Sequence, residues 1–387
     1  MMIFFDNAAG SHPKPQQVKI ALAQSCDKYG ANPGRGAYKM SLAASRLLFS
    51  TRERLARFFD CPDPNRLVFT AGATASINMA LRGILKPGDH VVYSGMEHNA
   101  FWRPLMRMQE EGLITSTRIA ADKWGYVKAE DFARAVRSDT GLIACLHASN
   151  VTGSVQPIER IGIIAKKNNI PFMVDTAQSA GLIPIDMQKM HISLLAFAGH
   201  KALYGPAGIG GLCIAPDVDL QPLILGGTGS NSQDWHQPVS YPDRMESGSL
   251  NMPAIAGLSG AMDFLSQIGL PEIYDYTMSL NDRFCYWVAQ IEGIRLLTPP
   301  DNLKLSRVPV VSLVIDGMDV SQAAWILDNE YDIAVRGGLH CTPLAHEAIN
   351  TLDTGTLRFS FGVFNTKKEI DLAVSALAKT AKGRTKK

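Results

Sequence analysis

Between residues 67 and 215 the chain alternates short apolar runs with amphipathic stretches. The apolar runs fall at 67–70, 90–93, 114–119, 142–147, 171–175, 194–197 and 209–214. They are short, partly β-branched and without clean alternation, which is how strands covered on both faces read. Segments 74–85, 129–136 and 158–168 carry helical spacing between them. This rhythm predicts an α/β fold with a mostly parallel, seven-stranded sheet clothed by helices on both sides. Only a Gly- and Pro-containing loop separates the last two runs. It is too short for a helical crossover, so the last strand is expected to run antiparallel.

Residues 225–251 are rich in Gly, Ser, Asn and Pro and lack periodicity, which predicts a long functional loop. An apolar helix is expected around 255–268. A second α/β pattern follows, with strands at 308–315, 331–335 and 356–361 and helices at 320–329 and 367–378. The predicted division is a large domain over 15–264 and a smaller α/β domain over 265–387, joined by residues 1–14.

The 387 residues are 46% hydrophobic and 19% charged, which supplies a large core and rules out a disordered chain. Lys plus Arg number 38 against 36 for Asp plus Glu, a formal balance of +2. That leaves no electrostatic footprint for nucleic acid or an anionic membrane surface. No uninterrupted apolar run reaches the roughly 18 residues of a membrane helix. The N-terminus lacks the basic start of a signal peptide, and the basic end from Lys382 to Lys387 reads as a solvated tail. A cytoplasmic location is therefore expected. Six cysteines, none in a CxxC pair, argue for reduced thiols.

Ligands of open parallel sheets bind beyond the carboxyl ends of the strands. Polar residues accumulate there: Thr74 after the first run, Glu97 and His98 after the second, Asn150 after the fourth, Asp175 and Gln178 after the fifth, His200 and Lys201 after the sixth. Together they predict a binding crevice. Thr74 near a helix start is either an ordinary cap or part of an anion site. Asp175 closes a very apolar strand. It either caps the next turn or offers a counter-charge to a protonated ring nitrogen. Lys201 sits in an apolar, Gly-rich setting. It is either a solvated loop lysine or a desolvated amine able to form a Schiff base. His98 has no second His or Cys at metal spacing, so no metal site is expected. Acid–base work, stacking or a structural hydrogen bond remain for it. Arg358 lies among apolar strand residues and needs a carboxylate, from the protein or from a substrate.

Cys341 lies in Arg336-Gly337-Gly338-Leu339-His340-Cys341-Thr342-Pro343, which reads as an exposed, bendable loop. Arg336 and His340 are expected to favour its thiolate. Cys26, Cys145, Cys213 and Cys285 fall in predicted elements and read as packing residues. Cys61 lies in Asp60-Cys61-Pro62-Asp63, whose acids are expected to raise its thiol pKa.

Asp175-x-x-Gln178, Gly199-His200-Lys201 and Arg336-x-Gly-x-x-Cys341, in that order, resemble the class V, fold-type I pyridoxal-phosphate enzymes of the cysteine desulfurase and selenocysteine lyase group. The resemblance runs from Phe5-Asp6-Asn7-Ala8-Ala9 to Arg358 and Asn365-Thr366. It implies that Lys201 holds the cofactor and moves the Cα proton. It also implies that Asp175 pairs with the pyridine nitrogen, Gln178 faces the phenolic oxygen and His98 stacks on the ring. Ala73, Thr74 and His200 would hold the phosphate, with Ser249 reaching in from a second subunit of a homodimer. Asn7, Ala8, Asn150 and Arg358 would meet the substrate, and Cys341 would attack its sulfur. Two positions depart from the family pattern. Ala198 stands where a hydroxyl is common, removing a charged hydrogen bond worth about 1.5–3 kcal/mol. Leu339 stands where the close branch has His.

The implied activity is desulfuration of L-cysteine to L-alanine, with a persulfide on Cys341 passed to a sulfur-acceptor protein. A selenocysteine lyase is a near variant. An aminotransferase or β-lyase on the same scaffold would use Lys201, Asp175 and Arg358 without Cys341. A non-enzymatic scaffold would have no use for Lys201 and Asp175 together.

Overall fold

A computed structural model describes residues 2–382 except 35, 231, 300–302 and 304. The tail from 383 onward therefore lies outside the described residues. After a short β1 (Ile3–Phe4), seven strands build the main sheet: β2 (Leu67–Thr70), β3 (His90–Ser94), β4 (Thr115–Ile119), β5 (Thr140–Leu146), β6 (Phe172–Asp175), β7 (Leu194–Ala198) and β8 (Gly210–Ile214). Their order is β2-β8-β7-β6-β5-β3-β4. The pairs among β3 to β7 are parallel, and β8 runs antiparallel to both β7 and β2, as its short connection requires.

Side-chain alternation explains why these strands read as unbroken apolar runs. Val92, Ile143, Cys145, Val174, Leu195 and Cys213 face one hydrophobic core. Val91, Leu142, Ala144, Met173, Leu194 and Leu212 face the other. Both faces are covered, so neither parity is polar. The edge strand β4 is largely exposed, and its Thr115, Ser116 and Arg118 are polar accordingly.

Helices α1 (Gln16–Lys28), α2 (Lys39–Phe58), α3 (Ala73–Ile84), α4 (Asn99–Glu110), α5 (Ala129–Ala135) and α6 (Ile158–Lys167) clothe this sheet. Among the described residues of 225–251 there is no helix or strand. Next, α7 (Met252–Ile268) packs against α1 and α2. The expected boundary at 264/265 thus falls inside a helix of the large unit. Gly269, with φ 96°, separates α7 from α8 (Leu270–Val288), and we propose it as the division instead.

The small unit is an antiparallel sheet of β9 (Ile294–Leu296), β10 (Val310–Ile315), β12 (Arg336–Gly338) and β13 (Thr356–Ser360), in the order β12-β13-β10-β9. Helices α8, α9 (Val320–Tyr331) and α11 (Lys367–Lys382) cover it, and α10 (Pro343–Ala348) follows Cys341. β1 pairs in parallel with β11 (Ile333–Ala334). Phe5, carried next to β1, packs among Phe284, Phe359 and Phe361. The start of the N-terminal segment thus packs on the small unit's sheet. Among the described residues no helix is long and apolar enough to cross a membrane.

One buried ion pair fixes the loop before α7. Arg52 and Glu246, both almost fully buried, form a two-pronged contact at 2.8 Å. The same carboxylate accepts the Phe69 N–H at 2.7 Å, so helix α2, strand β2 and the loop share one anchor. Glu246→Ala strands the Arg52 charge in the interior. We expect it to lower stability by about 3–5 kcal/mol, read as a drop in the urea unfolding midpoint. A midpoint equal to the parent's refutes this anchor.

Candidate active site

A cavity of about 530 Å3 opens beyond the carboxyl ends of β2, β3, β5, β6 and β7. Ala73, Thr74, His98, Asp175 and Gln178 line it, as do His200, Lys201, Asn150, Arg358 and Ala8. Strand packing gathers most of them, because they follow the same end of neighbouring main-sheet strands, while Ala8 comes from the N-terminal segment and Arg358 from β13 of the small unit.

One end of the cavity suits an anion. Helix α3 starts there, and the Ser76 N–H is the first to reach back to a carbonyl, that of Gly72. The N–H groups of Ala73, Thr74 and Ala75 are the unsatisfied donors of a first helical turn. Ala73, Ala177 and Ala198 form a small apolar cluster beside them, so the position without the family's hydroxyl is packed by methyl groups. A Cβ at Gly210 would lie 2.4 Å from the Phe197 carbonyl and 2.7 Å from Gly72 Cα, so glycine is what lets β8 approach this helix start. His200 adds a buried Nδ1 with no hydrogen-bond partner.

The other end carries Asp175. Its Oδ1 accepts the Ala177 N–H at 2.9 Å. Burial pushes its carboxyl above the ordinary value, while that N–H and the Lys201 charge oppose the rise. Lys201 shows the complementary shift. Burial lowers its amine, the Arg358 and Arg336 charges add to this, and Asp175 and Cys341 oppose it. His98 caps α4, its Nδ1 accepting the Ala100 N–H at 3.0 Å. Burial, then the cations of Lys201, Arg336, Arg103 and Arg358, bring its pKa down to about 4. The ring is therefore neutral, with its proton on Nε2.

Other predicted residues have more local tasks. Gln178 lines the cavity, but its Nε2 donates to the Ala8 carbonyl at 2.9 Å. Asn150 Nδ2 donates to the His340 carbonyl at 2.8 Å, and its Oδ1 accepts from the Thr342 hydroxyl at 2.7 Å. Arg358 is fully buried. It donates to the Asn150 carbonyl at 3.1 Å and pairs with Asp6, which leaves its Nε unpartnered. Two predicted residues stay outside the cavity. Asn7 donates to the Ser360 carbonyl and Asn365 Oδ1, at 3.0 and 3.2 Å, and so braces the N-terminal segment. Ser249 lies exposed in its loop and accepts from Asn32 at 3.1 Å; it belongs to no site within one chain.

Cys341 is exposed, beside the Arg336 and His340 side chains that line the cavity. Arg336 donates to its Sγ at 3.7 Å. His340 does not supply the expected positive charge. It is buried, bonded through Nε2 to Thr356, and held down to about 2 by burial and the Arg358 charge. The loop is also less bendable than its glycines suggest: Asn99 N–H donates to the Cys341 carbonyl at 2.8 Å. Leu339 is partly exposed beside it. At Cys61 the interaction with the neighbouring Cys213 makes the net shift of the thiol pKa downward; it outweighs the Asp63 charge, which acts in the expected direction and raises it.

Sequence reasoning gave Arg336 no place in the cavity and Glu97 no role. Glu97 is buried, accepts from the Ser94 hydroxyl at 2.5 Å and the Leu146 N–H at 2.7 Å, and is pushed up to about 8 by burial. Its strand-end position was the available signal, shared with His98.

Five histidines, His98, His147, His200, His340 and His346, are depressed to about 4 or lower, chiefly by burial. Unfolded, each takes up a proton near pH 6.5. The contribution of these histidines is therefore fully present above about pH 6.5 and falls as pH drops toward 4, by up to about 1.4 kcal/mol per pH unit per histidine, with the raised Glu97 offsetting only a part. Urea midpoints measured at pH 7, 6 and 5 should decline with growing slope. A flat series contradicts the burial of these rings.

Residues 3–373 match the Aminotransferase class-V family. The protein named "Probable cysteine desulfurase" from Methanothermobacter thermautotrophicus is 34% identical, over 97% of this chain and 94% of its own. The apo structure of a cysteine desulfurase from Thermococcus onnurineus NA1 superposes with a TM-score of 0.92 at 30% identity, covering 99% of this chain and 95% of that one. The cysteine desulfurase CsdA (S-sulfonic acid) from Escherichia coli gives 0.87 at 28% identity, with the same coverage. With a neutral ring, a buried carboxylate and a desolvated amine around one cavity, and relatives aligned almost end to end, this chain belongs to the aminotransferase class-V family.

Proposed function

We propose that the protein is a pyridoxal 5′-phosphate-dependent cysteine desulfurase, which converts L-cysteine to L-alanine and retains the sulfur as a persulfide on Cys341. The observation that carries this reading is that Lys201 and Asp175 line one cavity and the Cys341 thiol stands beside it, in contact with Arg336. The cavity fits a planar phosphorylated pyridine. The free N–H groups of α3 and the unpartnered His200 Nδ1 suit a phosphate, Asp175 a protonated ring nitrogen, and the neutral His98 ring a stacking face. The cofactor, when bound, supplies an electron sink for the substrate's Cα.

The chain's own residues account for the rest. Lys201 Nζ takes the Cα proton, because burial keeps its amine below the ordinary lysine range. Arg358 and Asn150 orient the amino-acid carboxylate, Arg358 offering its unpartnered Nε. Cys341 Sγ attacks the substrate's sulfur as a thiolate. A sulfur–sulfur bond forms and the carbon–sulfur bond breaks. That bond's electron pair stays with the carbon, which takes up a proton and leaves as alanine. Sulfur is oxidised and carbon reduced, with no further reactant. Onward transfer to a sulfur-acceptor protein follows from the exposure of Cys341. A homodimer is supported by the apolar Leu225, Trp235 and Val239, left exposed on the loop that carries Ser249; Ser249 would then complete a neighbour's phosphate site.

An aminotransferase or β-lyase gives Cys341 no task, and selenocysteine as substrate differs only in the atom attacked. Cys341→Ala should lose alanine formation by at least about a hundredfold and gain no sulfur by mass spectrometry after exposure to L-cysteine. It should keep the visible absorbance of the bound cofactor, whereas Lys201→Ala should lose it. Undiminished alanine formation by Cys341→Ala sinks the reading. Sedimentation of the parent should give twice the chain mass, and a monomer at micromolar concentration removes Ser249 from the site.

A further inference from the structure

The segment between β1 and α1 ties three parts of the cavity together. Asp6 pairs with Arg358, the Ala8 carbonyl accepts from Gln178, and Phe5 N–H donates to the Ala334 carbonyl at 2.9 Å. Its last contact falls on the peptide that precedes Lys201. The His200 carbonyl accepts from the Ser11 N–H at 3.0 Å, the Ser11 hydroxyl at 3.3 Å and Lys14 Nζ at 2.9 Å. Lys14 Nζ also donates to the Ser11 hydroxyl at 2.9 Å. Gly10 lies so close that a Cβ there would sit 3.6 Å from the His200 ring.

The other side of this turn closes on itself. Tyr204 N–H donates to the Lys201 carbonyl and Gly205 N–H to the Gly199 carbonyl, both at 2.8 Å. Apart from the strap, the described backbone bonds of this turn hold Lys201 only from within its own loop and from Ile209. Lys14 is partly buried and has no carboxylate in ion-pair range among the described residues. Burial alone pulls its pKa down to about 8, so it remains mostly protonated at neutral pH. An ammonium placed there without a counterion is costly. What it gains is a charge-assisted bond to the one carbonyl attached to Lys201.

We propose that Lys14 is a positioning residue: with Ser11 it pins the His200 carbonyl and so fixes the direction from which Lys201 enters the cavity. The proposal rests on Lys201 being the reactive amine, as proposed above. Three donors on one carbonyl leave that peptide little freedom to rotate, and Lys201 Nζ inherits the restriction along its own four-carbon stem. The strap also joins the small unit to this peptide, so that Arg358 and Lys201 are held from one stretch of chain.

The test compares Lys14→Met, which keeps the stem and removes the donors, with Lys14→Arg, which keeps a cationic donor. Amide hydrogen exchange of the peptide spanning 199–205 is followed in the apoprotein and after loading with pyridoxal 5′-phosphate. Lys14→Met should exchange there about tenfold faster or more, with helix α11 unchanged. In the loaded protein the pH midpoint of the visible absorbance should shift, and kcat should fall about tenfold with KM little changed. Lys14→Arg should return all three toward the parent. Should Lys14→Met not fold, Ser11→Ala supplies the exchange measurement, with a smaller rise expected. Parent-like exchange at 199–205 in Lys14→Met, or no rescue by Lys14→Arg, overturns the proposal. The apoprotein measurement needs no cofactor, so failure of every variant and the parent to bind pyridoxal 5′-phosphate would instead count against the functional reading alone.

Discussion

Asp175 and Lys201 stand beyond the ends of adjacent parallel strands and share one cavity without forming a direct ion pair among the described residues. Had they paired, each would have stabilised the other's charge and filled the space between them. Held apart, they leave that space to a third group, and burial works on each alone. It raises the acid and lowers the amine from their ordinary values. Ala73, Ala177 and Ala198 form a small apolar cluster in the wall of this cavity. The chemistry open to this cavity depends on that separation.

Burial, reinforced by the surrounding cations, sets the remaining protonation states. Arg336, Arg358 and Lys201 converge on a region that holds Asp175 and, through Arg358, Asp6. Desolvation depresses His98 and His340 first, and the field of these cations adds to it, so both rings stay neutral. A neutral ring can lie against an electron-poor aromatic without adding a charge to it. The excess positive field then favours an anionic group in the cavity. Glu97, buried behind His98 and pushed up to about 8, adds little negative charge to offset it at neutral pH.

The main sheet was legible because fully buried strands leave a plain mark, and the antiparallel β8 followed from the length of one loop. The strand-end rule then located most of the cavity wall. Other features depend on contacts that no local pattern carries. Asn7 looks the same in sequence whether it faces a ligand or braces Ser360 and Asn365. His340 reads as a cation beside Cys341 until its burial and its bond to Thr356 are seen. Helix α4 carries Pro104 in its interior, where the missing N–H removes one helical hydrogen bond, so the sequence alone does not mark 99–110 as a helix. Apolar spacing runs on through Leu265, and the helix ends only at Gly269, with its positive φ. Lys14 gave no signal, since a lysine before a proline is ordinary on any surface.

The presentation of Cys341 follows from backbone strain more than from loop freedom. His340 and Cys341 both adopt left-handed conformations, with φ 49° and 59°, which cost non-glycine residues about 1–3 kcal/mol each. Tertiary bonds compensate. Asn150 holds the His340 carbonyl, Asn99 N–H holds that of Cys341, and Thr342 N–H closes the turn on Leu339, each at 2.8–2.9 Å. The first two donors lie on elements of the large unit, so the thiol's position is set across the cavity and not by the small unit that carries it. A sulfur fixed in this way cannot sweep outward on a flexible arm. Any acceptor must approach the surface around Arg336 and Leu339, where the apolar Leu339 stands in place of a titratable ring.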